Sequence, residues 1–122
     1  MGERVEIPPQ LQEQIAKLQQ LQQTLQVIVN QKQQVELELT DTDKALEELD
    51  KTGNDTALFK SIGAILVKKD KTSLSSELTE KKELLNVRVT VLGKQEEKTK
   101  EKLKELDQQL QAKLRVTPRA PS

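Results

Sequence analysis

The stretch ALFKSIGAILVKK, residues 57–69, interrupts a sequence that otherwise reads as helix. Leu58, Phe59 and Ile62 lead into Gly63, and Ile65, Leu66 and Val67 follow it. Short apolar runs, partly β-branched, thus flank a residue that takes positive φ at no steric cost, which predicts a β-hairpin turning at Gly63. Two strands this short bury too little surface to offset the entropy of ordering them. The hairpin must pack on its own helix ends or pair with strands of other chains, and closure across subunits would remove its open edges. Leu58, Phe59, Ile62, Gly63, Ile65, Leu66 and Val67 are therefore the expected assembly residues.

Upstream of the hairpin a heptad register runs from Leu11 to Leu49. Its a positions are Leu11, Leu18, Leu25, Lys32, Leu39 and Leu46, and its d positions are Gln14, Leu21, Ile28, Val35, Thr42 and Leu49. Nine of these twelve sites are apolar in a chain that is 34% hydrophobic, so the stripe is a coiled-coil seam with a period of 3.5. Pro8 and Pro9 suit the first turn of this helix because they need no amide partner. Residues 1–7 carry no period and read as loose. DKTGNDT, residues 50–56, supplies the stop, with Gly53 or Asn54 expected in the left-handed conformation that closes many helices.

Downstream, Asp70, Thr72 or Ser73 can cap a second helix whose apolar sites are Leu78, Leu85, Val89, Leu92, Leu103, Leu106 and Leu110, with a gap at Glu96 and Thr99. Val87 to Val91 has strand-like composition, but the Lys and Glu heptads on both sides override that weak preference. Gly93 within this helix costs on the order of 1 kcal/mol relative to Ala. The tail VTPRAPS, residues 116–122, reads as disordered. Helices of about 40 residues would each reach roughly 60 Å. Joined by a compact hairpin they return antiparallel, with Leu46 near Leu78, Leu39 near Leu85, Val35 near Val89, Leu18 near Leu106 and Lys32 within reach of Glu96. The expected fold is mainly α: one domain over residues 1–122, with helices at 8–52 and 71–115 forming a long antiparallel two-helix coiled coil and a hairpin at 56–69 that packs on the helix ends or pairs with strands of other chains.

The composition narrows the function. Twenty basic residues balance twenty acidic ones, so no electrostatic footprint favours nucleic acid or an anionic membrane. The chain has no His and no Cys for nucleophilic, acid/base or soft-metal roles, and Glu47, Glu48 and Asp50 have no apolar pocket to raise their pKa. The glycines form no phosphate loop. No catalytic residue, metal or cofactor is expected, and Lys68, Lys69 and Lys71 read as a solvated strand end. No apolar run approaches the roughly 20 residues of a membrane span, and with no cysteine a cytoplasmic protein is expected.

Leu58-Phe59-Lys60, the run from Gly63 to Asp70 (GAILVKKD), and Leu92 with Gln95-Glu96-Glu97-Lys98 together resemble the β-type subunit of prefoldin, over about residues 8–115. Gly93 and Thr99 depart from the family pattern, which tends to have a charged and an apolar residue there. Of the two arrangements open to the hairpin, the resemblance implies the second, an intersubunit β-barrel: a hexamer of two alpha and four beta subunits, with hairpins joined into β-barrels and coiled-coil arms hanging from them. It also implies ATP-independent capture of unfolded polypeptides and their delivery to a group II chaperonin.

The expected client site is the end of the arm where the termini meet. Ile7, Leu11, Ile15 and Leu18, with Leu106, Leu110, Leu114 and Val116, offer more apolar positions than a two-helix seam covers at a fraying end, and simple seam packing is the alternative. Lys104, Glu105, Asp107, Lys113 and Arg115 are charged positions there that could dock a chaperonin. A competing function is a structural or tethering coiled coil, and a nucleic-acid-binding helical hairpin ranks behind both.

Overall fold

The computed structural model describes residues 7–116; of the loose start expected at 1–7 and the disordered tail expected at 116–122, all but Ile7 and Val116 lie outside them, and Val116 is helical rather than part of the tail. Four elements follow in order: α1 Pro9–Lys51, β1 Leu58–Ile62, β2 Ile65–Lys69 and α2 Lys71–Val116. The Val87 to Val91 segment is helical throughout, because five β-branched or polar residues cannot outweigh the seam contacts on either side.

Three of the four helix ends have an identifiable cause. Pro9 opens α1, and the Pro8 carbonyl accepts the Gln12 amide at 3.0 Å. At the other end the left-handed residue expected at Gly53 or Asn54 is absent: among the described residues only Gly63 has positive φ. Other donors cap the exposed carbonyls of α1 instead. The Thr52 amide donates to Leu49 O at 3.1 Å, the Thr52 hydroxyl donates to Glu48 O at 2.7 Å, and Lys71 Nζ, from the start of α2, donates to Thr52 O at 2.8 Å. With those partners in place no αL cap is needed. At α2, Asp70 is the cap, its Oδ1 accepting the Ser73 amide at 2.8 Å.

β1 and β2 pair antiparallel in the register Leu58↔Lys69, Phe59↔Lys68, Lys60↔Val67, Ser61↔Leu66 and Ile62↔Ile65. Gly63 and Ala64 form the two-residue loop, with φ +56° at Gly63 and no positive φ at Ala64, as a type II′ turn requires.

The chain divides into two compact units. One, Gln31–Leu92, holds the hairpin with the flanking parts of both helices. Within it the helices are antiparallel neighbours: Lys82 Nζ lies 2.8 Å from Asp43 Oδ1, and Lys71 reaches Thr52. Its buried positions are Val35, Thr42, Leu49, Leu85 and Leu92, with Leu39, Leu46, Leu78 and Val89 half-buried between them. These are the heptad positions of both helices. Thr42 is tolerated at 3% exposure because its hydroxyl donates to Glu38 O at 2.7 Å.

The other unit joins the chain up to Asn30 with the chain from Gly93 onward. Ile28, Thr99 and Leu110 are its buried positions, and Leu11, Leu18, Leu21, Leu25, Leu103 and Leu106 are half-buried. The expected gap at Thr99 is a polar layer rather than a break: Thr99 is buried and its hydroxyl donates to Gln95 O at 2.8 Å. Lys113 Nζ donates to Gln14 Oε1 at 2.9 Å, tying α1 to α2 near the termini.

Candidate functional site

Alternation along the two strands gives the hairpin two unlike faces. Leu58, Lys60, Ile62, Ile65, Val67 and Lys69 share one, and Phe59, Ser61, Leu66 and Lys68 share the other. The first face turns partly toward α2. Lys60 Nζ lies 2.8 Å from Glu77 Oε2 and Lys69 Nζ lies 3.5 Å from Glu77 Oε1, while Leu58 and Val67 are half-buried. The hydrogen bond from Lys60, reinforced by the charges of both lysines, holds the Glu77 carboxyl below the usual glutamate range against a smaller opposing desolvation.

The rest of the hairpin is open. Phe59 is 55% exposed, Ile62 47%, Ile65 61% and Leu66 70%, and their clustering on one small hairpin, rather than the exposure of any one of them, marks an interaction surface. The sheet has two strands, so each keeps an edge without a strand partner among the described residues. Of the seven expected assembly residues, four present apolar side chains outward, Gly63 makes the turn, and Leu58 and Val67 are partly used within the chain.

Of the basic cluster, Lys68 is exposed as the sequence suggests, and Lys69 and Lys71 are not simply solvated. Lys69 pairs with Glu77 and Lys71 caps α1, leaving Lys68 as the member on the outer face. Neither partner is visible in the local sequence, because one lies nearly two helical turns into α2 and the other on the far side of the hairpin.

Near the termini seven of the eight expected client-site residues separate into three sets. Ile7 is 44% exposed and Leu114 is 60% exposed; Leu11, Ile15, Leu18 and Leu106 are half-buried; Leu110 is buried at 6% and belongs to the seam. Val116 ends α2, and its side chain lies outside the described residues. Ile15, off the a/d stripe, is nonetheless half-buried beside it. Among the described residues no group of carboxylates could hold a metal ion, and no helix is long and apolar enough to cross a membrane.

Two helices in antiparallel contact, joined by a single exposed β-hairpin, define the class: a helical-hairpin subunit whose sheet is open to further strands. The family model described as prefoldin subunit matches residues 12–116. Prefoldin subunit beta of Thermococcus onnurineus is 49% identical over 111 residues, covering 91% of this chain and 96% of that one. The Archaeoglobus fulgidus prefoldin subunit beta is 50% identical over 106 residues, covering 87% and 91%. The crystal structure of the prefoldin beta subunit from Thermococcus strain KS-1 superposes with a TM-score of 0.81 at 43% identity, over 95% of this chain and all of that one. The chain belongs to the prefoldin family, among its beta-type subunits. Prefoldins are chaperone subunits rather than enzymes.

Proposed function

We propose that this chain assembles through its hairpin with an alpha-type subunit, as a hexamer of two alpha and four beta subunits, into an ATP-independent chaperone. The chaperone captures unfolded polypeptides at the helix termini and passes them to a group II chaperonin. The observation that carries this reading is the open hairpin: Phe59, Ile62, Ile65 and Leu66 are exposed on strands that each lack a partner on one edge. Burying the half to two-thirds of each of these four side chains that is still exposed contributes roughly 1–2 kcal/mol each in an intersubunit β-barrel, which favours association. Barrel closure also satisfies the strand edges.

Near the termini, Ile7 and Leu114 offer apolar surface, and the half-buried Leu11, Ile15, Leu18 and Leu106 become available when the helix ends fray. Such contacts are weak and indifferent to sequence, which suits a binder of unfolded chains. Several arms around one space multiply their strength. No nucleotide, metal or other cofactor takes part in this scheme. Truncating residues 1–17 and 107–122 should abolish suppression of aggregation while the assembly keeps its mass; retained protection in that variant would place client binding elsewhere.

A further inference from the structure

In the unit that carries the hairpin, α2 has a second apolar stripe. Leu84 is 67% exposed, Val87 61% and Val91 47%, at spacings of three and four residues that bring them to one face. The seam residues Leu85, Val89 and Leu92 interleave with them on the opposite side. From Leu84 to Leu92, LLNVRVTVL, the helix carries one charge, Arg88, in a chain that is 33% charged. A helix apolar on both faces is normally covered on both, and among the described residues nothing covers the outer one.

The size of the stripe limits what covers it. Three side chains fall far short of the roughly 800 Å² per partner of a stable subunit interface, so a second folded copy of the chain is a poor fit. Seven residues of helix rise about 10 Å, the length of roughly three residues of extended polypeptide. The exposed flanking residues are Thr90 on one side, neutral and polar, and Arg88 on the other, whose single charge lies at the edge of the stripe and leaves its centre apolar. We propose that Leu84, Val87 and Val91 form a second client contact, which holds a short extended nonpolar segment of an unfolded polypeptide along the side of the helical pair. This rests on the chaperone reading above and adds a site to it; the stripe would steady a chain already held at the termini, raising avidity rather than setting specificity.

The test uses the full chain assembled with an alpha-type subunit, and reduced, carboxymethylated lactalbumin as the unfolded probe. A photo-crosslinking residue, p-benzoylphenylalanine, is placed at Val87 and, on the same helix face one heptad to either side, at Glu80 and Lys94; a fourth position is Leu114. Crosslinks to the probe should be strong from Val87 and weak from Glu80 and Lys94. The triple variant L84Q/V87Q/V91Q should bind the probe about fivefold more weakly with the mass of the assembly unchanged. Probe crosslinks from Leu114 with none from Val87 would overturn the stripe and leave the chaperone reading standing. Crosslinks from Val87 to a neighbouring subunit, or dissociation of the triple variant, would make the stripe an intersubunit surface and overturn it equally. No binding of the probe by any form would overturn both.

Discussion

Lys60 on β1 and Glu77 on α2 are joined by a 2.8 Å ion pair across 17 residues of sequence, and Lys69 on β2 adds a second contact to the same carboxylate at 3.5 Å. One helical carboxylate thereby holds one lysine from each strand and fixes which face of the hairpin turns toward α2. All three side chains are between 31% and 44% exposed, so the pairing orients the hairpin more than it stabilises the chain.

Because the folded state depresses the Glu77 pKa, its contribution is complete above the unfolded value of about 4.3 and is lost as pH falls through the lower folded value. The protection factors of the strand amides, which are exchange rates corrected for their intrinsic pH dependence, should be unchanged by mild acidification to about pH 5 and should fall as the pH drops through the lowered pKa of Glu77. Glu77→Gln should remove that step and blunt the response of the strands to added salt. Hydrogen exchange of the strand amides in the two proteins, across pH and salt, checks this; an identical salt response in the variant would show that Glu77 does not orient the hairpin.

Two glycines should respond to alanine in opposite directions. Neither Gly63 nor Gly93 has a neighbouring atom within 4 Å of an added Cβ, so only the backbone decides. At Gly63, with φ +56°, alanine is strained by roughly 1–2 kcal/mol and should weaken the turn and any assembly built on it. At Gly93, inside α2, alanine should stabilise by roughly 0.5–1 kcal/mol. Thermal unfolding followed by circular dichroism reports the second. The first shows in the mass of the complex with an alpha-type subunit.

Adjacent leucines in α2 should part company. Leu85 is 4% exposed and Leu84 is 67% exposed. Leu85→Ala should cost about 2–3 kcal/mol, at the lower end for a buried leucine because a two-helix seam relaxes around the gap, and Leu84→Ala should stay within about 0.5 kcal/mol of the native chain. Equal losses in denaturant titrations would mean that the outer stripe is packed after all.

Much of this was legible in the order of residues. The a and d positions of α1, including the polar Gln14, Lys32 and Thr42, are all buried or half-buried, because a 3.5 period leaves one stripe facing the partner helix whatever occupies it. Gly63 was legible for a similar reason, since a two-residue hairpin loop needs positive φ at its first position. What escaped was interaction between elements that carry no shared period. Lys60 and Lys69 converge on Glu77, and Lys71 supplants the left-handed cap expected at Gly53 or Asn54. The expected client site was legible as a set of apolar positions but not as a surface, because heptad spacing does not tell the buried Leu110 from the exposed Leu114.

The most direct test is the mass of the purified chain mixed with an alpha-type subunit, measured by sedimentation equilibrium together with protection of a denatured client. A hexamer of two alpha and four beta subunits that suppresses aggregation without ATP is the predicted result. A chain that stays monomeric, with Phe59, Ile62, Ile65 and Leu66 as accessible to solvent in the mixture as in isolation, would contradict it.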